Sequence, residues 1–197
     1  DDVIAVTGKA EFFPFGSFTK DGTYFEGDII REKKPKLMVS GAFQQNNHAR
    51  RTNGQLGNDL FEQRTMKSVL LDAMLKYNGW AAMTSYMSRN TNDNAVTINP
   101  LNITQSNYVF VGNGFDYQLS YITKKKYEII GRYSIQNVGN DIEKLAPKTK
   151  EYTFGLTKYI WEHTFKLQAE INYDTLDYYN GATKNNWYVR FQVEIGI

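Results

Sequence analysis

Charged side chains in this sequence recur at alternate positions of short runs. That spacing would set them along one face of extended strands, where they act on a passing solute through charge rather than covalent chemistry. The cations so placed are Lys9, Lys76, Arg89, Arg132, Lys166 and Arg190. The anions sharing those faces are Glu11, Asp72, Asp116, Glu128, Glu151, Glu170, Asp174 and Glu194, so acids slightly outnumber bases and no basic ladder emerges. Arg132 and Arg190 are the best candidates for lining a path. The competing assignment pairs them with neighbouring acids, where they would stiffen a wall. Arg50-Arg51 and the Arg64/Lys67 pair could attract anions to a vestibule or fold into a pore, but solvated loop charges account for them as well.

Catalytic chemistry finds no support. His48 and His163 have no clustered partners for a metal or a triad, and without cysteine there is no disulfide or thiolate site. Gly112-Asn113-Gly114 reads as a bend, not a phosphate cradle. Glu170 and Asp174 share a strand face with most other polar residues. The Asn/Asp cluster at 90–94 reads as loop polarity rather than a cation site. The expectation is a non-enzyme with no cofactor and no metal. A net charge of +2 gives no reason to expect nucleic acid as a partner.

The elements that must position these charges are strands. About nine runs alternate apolar and polar residues, and no long window carries a helical period. The last is the clearest: Trp187, Val189, Phe191, Val193, Ile195 and Ile197 oppose Tyr188, Arg190, Gln192, Glu194 and Gly196. The other runs lie at 164–174, 151–157, 127–134, 115–121, 80–89, 68–77, 36–44 and 3–13. Short connections at Asn78-Gly79, Lys124-Lys126 and Trp161-Glu162-His163 alternate with long polar segments at 45–63, 89–110, 136–148 and 175–184. Tyr77, Trp80, Tyr121, Tyr127, Tyr159 and Trp161 sit beside the short turns, as an interfacial aromatic girdle would.

No stretch approaches the roughly 18 apolar residues of a spanning helix, which leaves strands as the only way across a membrane. The fold class expected is all-β: an antiparallel transmembrane β-barrel in the bacterial outer membrane, read as a single domain over 1–197, with Asn185–Ile197 as its closing strand. Nine strands is an odd count, and the first begins at the end opposite the last strand's terminus. An N-terminal part missing from the sequence would restore parity. The rival is a tenth strand hidden in 16–35, a connection too long for its side of the barrel.

Several stretches, in order, carry a family resemblance: Gly8-Lys9-Ala10-Glu11-Phe12-Phe13-Pro14-Phe15-Gly16 with Asp21-Gly22, Pro35-Lys36-Leu37, Gly54-Gln55-Leu56-Gly57, Asp72 to Gly79, Gly131-Arg132-Tyr133-Ser134, and Asn185 to Val193. Together they resemble the phosphate-selective porin O and P family in its Bacteroidota form. The terminal Ile197, where a Phe is usual, is a small departure. The resemblance implies the C-terminal nine strands of a sixteen-stranded, trimeric porin of about twice this length. It implies a water-filled channel for small hydrophilic solutes, including anions such as phosphate. Lipid, lipopolysaccharide, and either two further copies or an envelope complex would be its partners. The alternative is a structural barrel subunit of a larger outer-membrane complex with little transport role.

Overall fold

The computed structural model describes residues 4–196. Nine strands form one antiparallel sheet in which each strand lies beside its neighbours in chain order, apart from an excursion after the fourth. They are β1 (Ile4–Phe12), β2 (Lys36–Arg51), β3 (Asp59–Tyr77), β4 (Trp80–Thr91), β7 (Gly112–Ile122), β8 (Tyr127–Val138), β9 (Lys148–Trp161), β10 (Phe165–Asp177) and β11 (Thr183–Ile195). The excursion is a two-stranded hairpin of β5 (Val96–Asn99) and β6 (Asn102–Tyr108). No α-helix occurs among the described residues, and none could cross a membrane. The sheet is open: β1 pairs only with β2 and β11 only with β10. Because directions alternate, these two edges run parallel to each other.

Every expected run falls on a strand, but Phe13, Thr164 and Gly196 lie just beyond the ends of β1, β10 and β11, and Val3 and Ile197 fall outside the described residues. The strand ends were misplaced. β2 and β3 continue through the presumed loop 45–63, leaving only 52–58 as connection, and β10–β11 turn within 178–182 instead of 175–184. Beyond the exposed apolar stretch, β2 and β3 pack under the β5–β6 hairpin through Ala49, Leu60 and Met66, and their pairing is shifted at Asn46/Ala49 and Ala49/Arg51, so the regular alternation ends while the strands continue. The presumed loop 89–110 carries the β5–β6 hairpin. Asn99-Pro100, flanked by Ile98 and Ile103, was its available signal.

Asn78-Gly79 forms the two-residue turn its sequence suggests, with φ of 49° and 89°. The segment between β1 and β2 contains no strand, which removes the ten-strand alternative. It has only a 3-10 turn at Thr19–Tyr24.

The two faces of the sheet differ sharply. One carries exposed apolar side chains on each of the sheet's nine strands, among them Phe12, Phe43, Leu71, Phe154, Trp187 and Phe191, the last 81% exposed. Along it, Tyr117, Tyr133, Tyr152, Tyr173 and Trp187 are successive cross-strand partners, with ring centroids 5.0, 6.4 and 4.5 Å apart from Tyr133 onward. Near the short turns, Tyr77, Trp80, Tyr127 and Trp161 are also exposed, and Trp80 packs 4.8 Å from Tyr121. Tyr159 departs from this girdle. It is buried on the opposite, polar face, where its hydroxyl donates to Glu128 at 2.6 Å. A register shift at the β9–β10 turn end separates it from Trp161.

Candidate functional site

The polar face is ordered by register. At one level across all nine strands the cross-strand partners are Glu11, Ser40, Asp72, Ser85, Asp116, Ser134, Glu151, Asp174 and Asn186. Pairing through a period of two places these side chains on the same side of the sheet, so the row forms a belt in which carboxylates and serine hydroxyls alternate as far as Glu151, with Glu151 and Asp174 side by side. Ser40 donates to Asp72 at 3.0 Å, Ser134 donates to Asp116, and Tyr188 donates to Glu151 at 3.2 Å.

Most of the candidate pore-lining cations are tied to acids. Lys9 pairs with Glu11 at 2.7 Å, Arg132 with Asp116 at 2.7 Å, Lys166 with Glu194 at 3.0 Å and Arg190 with Glu170 at 3.0 Å. Arg89 has no carboxylate partner among the described residues; its Nε donates to the Ser68 hydroxyl at 3.1 Å. Lys76 does not line an open path. It is 2% exposed and covered by the segment between β1 and β2. Its charge fitted the polar face, but nothing near it in sequence revealed what would lie on top.

Among the basic residues near the presumed loop, Arg51 pairs with Asp59 at 3.3 Å. Arg64 is buried, donating to the Asn94 carbonyl at 2.7 Å and pairing with Glu62 at 2.9 Å. Arg64 therefore secures the loops at that end of the sheet and offers no open charge.

Residues 13–35 form a strap across the polar face at the short-turn end. The Lys76 ammonium donates to the carbonyls of Gly22, Phe25 and Gly27. Arg31 donates to the carbonyls of Ile122 and Asn78, and the Asn78 N–H donates back to the Glu32 carbonyl at 2.9 Å. Asp28, also buried, accepts from the N–H groups of Gly79 at 2.7 Å and Glu32 at 3.0 Å. Apolar packing adds Phe18 against Met38 and Met74. Asp28, Glu32 and Lys76 are thus buried together as donors and acceptors, the arrangement under which buried charge is tolerated.

His163, expected to be an isolated turn residue, stacks on Phe25 of the strap at 3.8 Å and meets the edge of Tyr159 at 5.4 Å. Burial there, with the charges of Lys166 and Lys76 nearby, lowers its pKa to about 4. It is neutral at physiological pH and serves as an aromatic platform. The described residues contain no grouping of His, Asp and Glu able to hold a metal ion.

Between strap residues 24–26 and the wall of β7 to β11 lies a polar cavity of about 440 Å³. Tyr24, Phe25 and Glu26 border one side; Gln118, Glu128 and Arg132 are among the wall residues. A smaller cavity of about 170 Å³ lies beneath the strap beside Lys76 and His163. Sequence reasoning missed Tyr24, Phe25 and Glu26 because nothing in 16–35 indicates where that segment docks. Compared with protein-family models, curated proteins and solved structures, the chain has no match.

Proposed function

We propose that this chain forms part of the wall of an outer-membrane porin, a water-filled channel for passive diffusion of small hydrophilic solutes. The observation that carries this reading is the sheet's exposed apolar face, nine strands wide and backed by a polar face. A contiguous apolar surface of that extent needs a non-aqueous partner, and apolar-out, polar-in alternation is how a barrel meets lipid. From Trp161 to Tyr152 is nine residues. At about 3.3 Å each and a barrel-like tilt, that spans about 23 Å, close to the ~25 Å apolar band of such proteins.

Parallel edges β1 and β11 cannot pair antiparallel with each other, so closure calls for an odd number of further strands. Seven, as the family resemblance implies, would give sixteen, enough for an aqueous lumen. The ion-paired cations supply no free basic ladder, so general diffusion is favoured over phosphate selectivity. A homotrimer remains part of this proposal through the resemblance alone.

One observation favours the second reading, a structural barrel within an envelope complex: the strap occupies part of the polar face. Planar-bilayer recording of the intact protein separates the two readings. Ohmic single-channel conductance is expected, and its absence from correctly folded protein would overturn the pore.

A further inference from the structure

We infer that the cavity between the strap and the β7–β11 wall binds a small neutral sugar, a mono- or disaccharide held through its hydroxyl groups. The inference deepens the porin reading by naming a solute class, whereas the binding chemistry stands on the cavity itself.

The charges around the cavity are compensated within the protein. Lys166 pairs with Glu194 at 3.0 Å, Arg190 with Glu170 at 3.0 Å and Arg132 with Asp116 at 2.7 Å. The two remaining carboxylates of the lining, Glu26 and Glu128, lie in the field of the buried Lys76 ammonium, and Glu128 also accepts from Tyr159. An ionic solute of either sign would have to displace a partner already in place, whereas a neutral one need not. What stays loosely engaged is amide chemistry. Gln118 Nε2 lies 3.3 Å from Glu26, and Gln168 Nε2 lies 3.4 Å from the Thr157 hydroxyl, both at the long limit of a hydrogen bond. Gln192, exposed on β11, is the direct cross-strand partner of Gln168, so the two amides stand side by side. Each amide offers donors and an acceptor together, which is what a hydroxyl, itself both, requires.

Two residues interrupt the polar wall between those amides. Ile130 and Gly155 are direct cross-strand partners, and both line the cavity. A Cβ added to Gly155 would meet nothing closer than Ile130 Cβ at 3.5 Å, an ordinary contact. The glycine therefore leaves a recess beside Ile130 that no close approach of backbone demands. On the strap side, Phe25 and the 83% exposed Tyr24 border the same space. The cavity thus combines apolar contact with a few convergent hydrogen-bonding groups, and its volume of about 440 Å³ suits a small organic molecule better than a bare ion. A pyranose ring has the matching character, with C–H groups on its faces and hydroxyls around its rim. Phosphate would meet carboxylates and no free cation, and an amine would meet carboxylates that are already compensated.

The test is saturation-transfer NMR titration of the intact protein with maltose, inorganic phosphate and spermidine as separate probes, in micelles of a detergent that carries no sugar. Saturable maltose binding is expected, unchanged between low and high salt because no net charge is engaged. Gln168→Leu and Gln192→Leu should each weaken it about fivefold, the usual loss for one neutral hydrogen bond. Gly155→Leu, which fills the recess, should abolish it. Heat-modifiable gel mobility confirms folding of each variant, and Gln192→Leu, at an exposed position, decides alone if Gly155→Leu does not fold. Preferential binding of phosphate or spermidine, or maltose binding unchanged by Gln192→Leu, overturns the inference. Ohmic conductance without maltose binding fails this site and leaves the pore standing. Saturable maltose binding without conductance supports the site and fails the pore.

Discussion

The two ends of the sheet are closed by opposite chemistry. At the short-turn end the strap is held by ionic and backbone groups, with Lys76, Asp28 and Glu32 buried among carbonyls and N–H groups. At the other end, Ala49, Met66, Ala95, Val109, Val111, Ile142 and Ala146 form a small apolar core under the β5–β6 hairpin and the 139–147 connection. An apolar core is non-directional and indifferent to pH, whereas a buried ionic network depends on every partner and on protonation. The long connections are therefore anchored as a soluble domain would be, and the strap is the element that responds to charge.

The largest effect should come from Lys76→Met, which keeps the side chain's length and removes its charge. It would leave three carbonyls without their donor and Asp28 and Glu32 without the nearby positive charge. Removing one partner of a buried ionic group costs about 3–5 kcal/mol. Limited proteolysis should then cut within residues 19–30. A strap as protected as in the parent protein would show that Phe18 and its methionine contacts hold it unaided.

Next is Ile142→Ala at the opposite end. Ile142 is fully buried, and large-to-small changes at such sites cost about 2–5 kcal/mol. Cleavage within 139–147 should rise while cleavage of the strap stays unchanged, since distant sites act independently. Loss of strap protection in this variant would mean that the two ends unfold together and the comparison fails.

How much of this was legible in the sequence follows from the range over which each feature is encoded. Strand identity is local: Tyr152, Phe154 and Leu156 against Thr153 and Gly155 state β9 by their types alone. Strand length was legible only where one side is apolar, which is why β2 beyond Gln44 and β3 before Ser68 read as loop. The polar face was legible as a set of charges but not as a level belt, because Glu151 and Asp174 become partners only once the register is fixed. The strap was legible only as an anomalous length. Its docking depends on contacts such as Lys76 with Gly22, 54 residues apart, in which backbone carbonyls leave no mark on residue type.

Acidification should act chiefly on the short-turn end. His163 has its pKa lowered from 6.5 to about 4 in the folded protein, chiefly by burial. The undocked strap end therefore binds the proton more tightly than the docked one. Docking is at full strength above about pH 6.5 and is lost progressively as pH falls toward about 4. Protease accessibility of residues 19–30 should rise across that window, and His163→Phe, which keeps a ring against Phe25, should flatten the dependence. A pH response surviving in that variant would assign it to the strap's carboxylates instead.

The smallest effect belongs to the wall between the two ends, and it asks whether the ionic character of the strap end extends up the polar face. Arg190 and Glu170 are direct cross-strand partners joined at 3.0 Å, but the arginine side chain is 57% exposed. Water can solvate both charges when the pair breaks, so the coupling should lie between about 0.2 and 1 kcal/mol. A double-mutant cycle of Arg190→Ala and Glu170→Ala, read from unfolding of the intact protein, isolates that coupling from the loss of each side chain's packing. It should shrink at high salt, because exposed charges are screened over about 10 Å at 0.1 M. A salt-insensitive coupling above about 2 kcal/mol would mean that the pair is desolvated. The wall would then belong with the strap as one buried ionic system, and Arg190 would be unavailable to any solute passing along the polar face.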